Sequence, residues 1–422
     1  MTQTNWDPAS QIAWLSSADL SPWVADALGQ YGTFPGVHPV TVQHRPGAGV
    51  SALLQVSAPD TPEPMIIGLT TEILDRATLA AVPAGCEPRF AQGPGGMVVL
   101  WPHPYDPKLP GLPAAVDPAQ VQARWGHGHT VTQVRTRAYR PLRRAVLVAD
   151  LDQTQPGTAF FLKVLHSRAA DLAQRHLMLT HAGLPVPRLR LPNDATGPTD
   201  VVRDGTIALD VAAGHSLATA LASQEMHPVS TADLISVLDR LPAECLKLER
   251  KDSWSDRIED HALAARSAFP GMVPEIDMLL QRIRWGLANF HPGQVVPTHG
   301  DLYEANVFVH DSQISGLLDL DGVGPGYRVD DLACLVAHLA VLPSLDHRYL
   351  DVPKLLRWIT PALVADVARQ GGDPRGLWVR SAAVVLTLIA GMPGEGHDDL
   401  LQAARDRLAL AGRLLERAEN YF

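Results

Sequence analysis

The segment His299-Gly300-Asp301-Leu302-Tyr303-Glu304-Ala305-Asn306, followed by Leu317-Leu318-Asp319, sets a carboxylate, an amide and a second carboxylate in a fixed order. That set suits phosphoryl transfer from a nucleotide. One carboxylate accepts or orients the hydroxyl proton at the attacking oxygen, while an amide oxygen and another carboxylate hold the Mg²⁺ that neutralises the phosphate chain. Asp301, Asn306 and Asp319 are the candidates, in that order. Asn306 follows Asp301 by five positions, close enough for both side chains to leave one loop into the same site. Asp319 follows Asn306 by thirteen, the length of a β-hairpin: Val307-Phe308-Val309 reads as one strand, His310 to Gln313 as the turn, and Ile314 to Leu318 as the returning strand. A hairpin brings Asn306 and Asp319 back to the same end.

These residues resemble the aminoglycoside phosphotransferase-like superfamily, whose hallmark is similar to HGD-x4-N, then an apolar strand ending in Asp, then D-L-A. Asp331-Leu332-Ala333 supplies the last piece. Taken singly, Asp301 reads as a turn residue, Asn306 as a local cap and Asp319 as a strand-end Asx turn. Those three readings leave the ordering over 35 residues unexplained. The resemblance implies an α+β, protein-kinase-like two-lobed fold, with a β-rich small lobe, a helical large lobe and here an additional N-terminal α/β block. It also implies Mg²⁺ and ATP or GTP as co-substrate. His299 then braces the loop by hydrogen bonds, and Asp331 bonds the loop's backbone or caps its own helix. Asp321, two residues past Asp319, is an extra carboxylate whose plainer reading is a turn beside Gly322.

A chain of 422 residues with 46% hydrophobic content can bury more than one core, so two or three domains are expected. The net charge of −10 argues against a nucleic-acid surface and favours a neutral or cationic small substrate. Cys86, Cys245 and Cys334 are far apart, odd in number and without ligand spacing, which argues against disulfides or a zinc site and fits a reducing cytoplasm. The first residues lack a basic stretch and apolar core, so no secretory signal is expected, and the apolar run from Ala382 to Met392 is too short to span a bilayer, so no membrane partner is expected.

The proline-dense segment from Trp101 to Pro113 reads as neither helix nor inner strand, and marks a boundary. Three regions follow: 1–118 as an N-terminal extension, 119–214 as the small lobe and 215–422 as the helical large lobe. Within the extension, Trp14 to Tyr31 reads as helical. An extended segment, an Arg45-Pro46 turn and a second strand there echo Val131 to Val148 with its Arg140-Pro141 turn, which suggests a degenerate copy of the small lobe. Lys163, in the apolar run Phe160 to Leu165, is the candidate nucleotide lysine, and a solvated edge-strand lysine is its plainer reading. The helix from Arg168 to Thr180 offers Asp171 as the acid to pair with it. The hairpin turn Tyr139 to Arg144 carries arginines and no glycine, so Arg143 or Arg144 stands as a phosphate contact against the plainer reading of a solvated turn. By position in the resembled family, backbone groups near Asp210 and Val211 meet the nucleotide base. Ser216 caps the helix Leu217 to Ser223. Helical spacing is read over Val229–Arg250, Trp254–Phe269, Val273–Phe290, Asp331–Leu342 and three later segments to Glu419.

The expected function is a small-molecule kinase acting on a substrate hydroxyl. A nucleotide-binding pseudokinase is the rival, motivated by the glycine-free turn. No long activation segment follows Asp319, which disfavours a protein acceptor. Aminoglycosides, sugars or amino sugars, and choline-like or homoserine-like alcohols stay open as acceptors.

Overall fold

In the computed structural model the described residues run from 7 to 421, apart from 16, 18, 30–35, 46–48, 58–63, 81, 84, 153–158, 224–228 and 391–396. No helix among them is long and apolar enough to cross a membrane. The chain divides into two units, Met1–Ala173 with Leu189–Val211, and Gln174–Arg188 with Ala212–Phe422.

The first unit contains two antiparallel sheets. Helices α1 (Pro8–Leu15) and α2 (Leu20–Ala27) precede β1 (Gly36–Arg45), β2 (Gly49–Ser57), β3 (Met65–Thr70), α3 (Arg76–Ala80), β4 (Arg89–Gln92) and β5 (Met97–Pro102). Alternate residues of β2, namely Val50, Ala52, Leu54 and Val56, point to one face and bury against Leu15, Leu20 and Val24. Then come α4 (Leu112–Val116), α5 (Pro118–Trp125), β6 (Val131–Arg140), β7 (Arg144–Leu151), β8 (Ala159–Leu165), α6 (Ala169–His181), which passes into the second unit after Ala173, β9 (Leu189–Arg190) and β10 (Thr206–Asp210). Phe160, Leu162 and Val164 of β8 form a second core with Leu112, Val121 and Trp125. The strand orders are β1-β2-β3-β5-β4 and β6-β7-β8-β10-β9. In both sheets the third strand is followed by a helix, and the fifth strand inserts between the third and fourth.

The proline-dense segment departs from its sequence reading. Trp101 and Pro102 end β5, an inner strand, with Pro102 opposite Ile67, and Leu112–Val116 is a short helix. Proline is tolerated at both places because Pro102 closes its strand and Pro113 lies in a first helical turn, where the missing N–H has no partner to lose.

The second unit is mostly helical: after β11 (His215–Ser216) come α7 (Leu217–Ala222), α8 (Thr231–Asp239), α9 (Ile258–Ala268), α10 (Val273–Asn289), α11 (Arg328–Val341), α12 (Val352–Arg369), α13 (Arg375–Thr387) and α14 (His397–Glu419). Between α10 and α11 lie β12 (Val295–Thr298), β13 (Val307–His310), β14 (Gln313–Leu317) and β15 (Gly324–Tyr327). Ser216 caps α7, accepting from the Thr219 N–H. The helix expected over Val229–Arg250 stops at Asp239, since Pro242 cannot donate to continue it, and Ala243–Lys247 is a 3-10 turn. The one expected from Trp254 starts at Ile258. Buried charges are paired: Arg328 meets Asp366 at 3.3 Å and Asp239 at 2.9 Å, and Arg380 meets Asp330 at 2.6 Å.

Candidate active site

The loop from His299 to Asn306 leaves β12, which pairs with β15, and enters the hairpin β13–β14, where Val307 pairs with Leu317. Asp311 and Ser312 both have positive φ, 49° and 58°, as a two-residue hairpin turn requires. The Leu318 N–H donates to the Asn306 carbonyl at 2.9 Å. Asp319 follows directly, in the left-handed region at φ 58°, and opens the 3-10 turn Leu320–Gly322 that carries Asp321. The two arms of the hairpin therefore bring Asn306 and Asp319 to one end.

Two devices fix the loop. Asp331, in the first turn of α11, accepts the backbone N–H groups of His299 at 2.7 Å and Gly300 at 2.8 Å. Burial pushes its carboxyl up to about 7, and those two N–H donors oppose the rise. The second device is close backbone contact. Gly300 has φ +81°, and a Cβ on it would lie 2.4 Å from the Gly322 carbonyl oxygen. Only glycine fits that approach. Behind this turn, buried Arg175 donates to the Val323 carbonyl at 3.0 Å.

Within the loop, Asn306 Nδ2 donates to the Asp301 carbonyl at 3.0 Å, which leaves the amide oxygen for a cation. Asn306 and Asp319 thus bring an amide oxygen and a carboxylate, hard donors of the kind that would suit Mg²⁺. No three His, Cys, Asp or Glu side chains gather as a metal cage among the described residues, and a phosphate-completed ion needs none. His299 is fully buried, and desolvation holds it neutral, with its pKa down to about 4. Such a histidine is a poor acid.

The structure adds contacts around the loop for which sequence reasoning had assigned no role. Trp254 Nε1 donates to Asp301 Oδ1 at 3.2 Å. Tyr303 stacks on His338 at 4.5 Å between ring centroids, and burial lowers His338 to about 4. Glu304 is buried, and desolvation raises it to about 7. Tyr303 and Glu304 belong to the loop itself, whereas only closeness in space identifies Trp254. Asp301 and Trp254 are 47 positions apart.

In the first unit, Lys163 sits mid-strand on β8, opposite Val146 and Ile207, on the face away from the Phe160–Leu162–Val164 core. It is half-buried, and because β8 pairs with β7 on one side and β10 on the other it is not an edge-strand lysine. Asp171 lies in the first turn of α6 and is exposed. Asp210 ends β10 and meets Arg190 at 3.3 Å, and Val211 is exposed. The β6–β7 turn is not a solvated loop as a whole. Arg143 is exposed, but Leu142, at φ +61°, is buried with Leu74, Val99 and Trp101. Its N–H donates to Asp106 Oδ2 at 2.8 Å, as does the Tyr139 hydroxyl at 2.7 Å. Asp106 had gone unnoticed in the sequence because it sits in the proline-dense segment.

The family model described as phosphotransferase enzyme family (APH) matches residues 144–366, a span that takes in Lys163, the loop, Asp319 and Asp331. Among solved structures, a thermostable mutant of aminoglycoside phosphotransferase APH(4)-Ia, in ternary complex with ADP and hygromycin B, is similar at 14% identity and TM-score 0.45, over 69% of this chain and 96% of that one. Spectinomycin phosphotransferase APH(9)-Ia, in complex with ADP and spectinomycin, is similar at 12% identity and TM-score 0.41, over 72% and 96%. Amicoumacin kinase hAmiN, in complex with AMP-PNP and Ca²⁺, is similar at 14% identity and TM-score 0.38, over 66% and 88%. Comparison with curated proteins finds no match.

Proposed function

The chain belongs to the phosphotransferase enzyme family (APH), with the α+β, protein-kinase-like fold of that family, and we propose that it is a small-molecule kinase moving the γ-phosphoryl of ATP or GTP to a substrate hydroxyl. The observation that carries this reading is the loop itself: Asp331 holds its backbone, and the Leu318–Asn306 hydrogen bond sets Asn306 beside the strand end that bears Asp319. Asp301 orients the acceptor hydroxyl and takes its proton as the oxygen bonds to the γ-phosphorus and the bond to the bridging oxygen breaks, releasing the nucleoside diphosphate. Asn306 and Asp319 would hold Mg²⁺, which supplies charge neutralisation when bound. Lys163 meets the α- and β-phosphates, and backbone groups at Asp210 and Val211 meet the base. Because the transition state of such transfers is loose, positioning carries most of the acceleration and a strong base is unnecessary.

The acceptor belongs to the sugars, amino sugars, aminoglycosides or amino alcohols. A nucleotide-release assay with Mg²⁺ against a panel of these tests the proposal. Acceptor-dependent release is expected from one class, and its absence across the panel, with nucleotide still bound, would favour the pseudokinase reading. That second reading draws on the glycine-free β6–β7 turn with its buried tip.

The region 1–118 serves as a degenerate small-lobe-like cap that contributes no catalytic group. The common strand order of the two sheets supports this.

A further inference from the structure

Trp254 lies in the turn before α9, and that turn is braced on itself. The Ser253 N–H donates to Asp256 Oδ2 at 3.0 Å, the Asp256 N–H donates to Ser253 Oγ at 3.2 Å, and Arg250 donates to the same Asp256 oxygen at 2.7 Å. The Arg257 guanidinium stands 4.8 Å from the indole ring centre, and His261 lies 5.4 Å away on a tilted plane. The ring is thus gripped on several sides. Its one polar atom is spent on the carboxylate that the proposed reaction uses, Asp301 Oδ1, at 3.2 Å.

Indole is a donor only and does not titrate, so this contact differs from a lysine or histidine in the same place. It cannot give up a proton to the carboxylate or remove one from the acceptor. It also brings no positive charge to compete with a cation at Asn306 and Asp319. With Oδ1 held by the indole N–H, the orientation of the carboxylate is tied to that of the ring.

We infer that Trp254 is a positioning residue for phosphoryl transfer, holding the Asp301 carboxylate in one orientation through Oδ1. This rests on the proposed role of Asp301. It assigns a second function to the segment between the 3-10 turn at Ala243–Lys247 and α9: the Ser253–Asp256 brace sets the angle of the ring, and the ring sets the carboxylate.

The test is Mg²⁺-dependent nucleotide turnover by the full-length protein as wild type, Trp254→Phe, Trp254→His and Asp301→Asn, with nucleotide Kd and thermal unfolding measured for each. Trp254→Phe keeps an aromatic ring and removes the N–H. It should lower kcat about tenfold or more, the worth of a hydrogen bond to a charged group, and leave nucleotide Kd unchanged. Trp254→His, which retains a ring N–H, should recover part of the rate. A wild-type kcat in Trp254→Phe, with Asp301→Asn inactive, would overturn the inference and leave the proposed function standing. So would a loss of nucleotide affinity equal to the loss of kcat, which marks a merely structural role. Full turnover by Asp301→Asn would instead remove the reading on which the inference rests.

Discussion

The Asp331 carboxylate accepts the Gly300 N–H at 2.8 Å, so the first turn of α11 directly sets the backbone one residue before the proposed base. Asp331→Ala would leave the buried His299 N–H without its acceptor and release the exposed Gly300 N–H to water, at a cost of about 1–3 kcal/mol. Asp331→Asn, which keeps one acceptor oxygen, should cost less. Urea unfolding of both variants gives the ranking, and equal stability of Asp331→Ala and wild type would refute it.

Asp301→Asn should reduce kcat by about 10² or more while leaving nucleotide affinity nearly intact, because the carboxylate acts on the acceptor oxygen. Asp319→Ala should do the opposite, abolishing the gain in nucleotide affinity that Mg²⁺ brings. Calorimetric titration with and without the ion separates the two. An unchanged Mg²⁺ effect in Asp319→Ala would move the metal elsewhere.

Gly300 and Gly183 both have positive φ, +81° and +73°, yet a Cβ on Gly183 meets nothing within 4 Å whereas one on Gly300 strikes the Gly322 carbonyl. Alanine at Gly183 should therefore cost only the conformational strain of about 1 kcal/mol. At Gly300 the same change must also displace the loop, and should lower turnover at least tenfold. Parallel melting and activity measurements on the pair distinguish strain from collision.

His338 is neutral in the folded protein because burial takes its pKa from 6.5 to about 4. The folded state then binds fewer protons than the unfolded chain across that interval, so this residue's contribution is constant above pH 6.5 and is lost as pH falls towards 4. The full effect is at most about 3 kcal/mol. His338→Phe, which can keep the stack on Tyr303, should lose less stability than wild type between pH 7 and pH 4 in denaturant titrations. Parallel pH curves for the two proteins would contradict the assignment.

Asp106 accepts from the Leu142 N–H, the Tyr139 hydroxyl and the Lys108 N–H at 2.8, 2.7 and 2.9 Å, and burial raises its pKa in spite of them. Asp106→Ala should destabilise the first unit by roughly 3 kcal/mol, and Tyr139→Phe by about 1. The pair should couple in a double-mutant cycle, since both remove one hydrogen bond. Additive losses would mean the network is not acting as one.

The hairpin β13–β14 could be read from sequence because its signals are local: apolar runs flank a polar turn, and the spacing from Asn306 to Asp319 fits a two-residue loop. The second strand pair of the first unit was legible for the same reason, down to Lys163 within an apolar strand. Helix ends were less so. Apolar spacing continues past Asp239, but the backbone cannot follow it through Pro242, and Trp254 is drawn out of α9 by the Ser253–Asp256 turn. The contacts that fix the site's details were not legible, since Trp254 with Asp301 and Asp106 with Leu142 join residues 47 and 36 positions apart. Neither pair has a residue pattern of its own. Each exists only because two separately formed elements meet.

The burial of Leu142 among Leu74, Val99 and Trp101 also makes one sheet of the first unit depend on the other. Everything that receives the β6–β7 tip, from Leu74 to Asp106, precedes it in the chain. A chain lacking residues 74–106 would leave the apolar tip of that hairpin exposed to water.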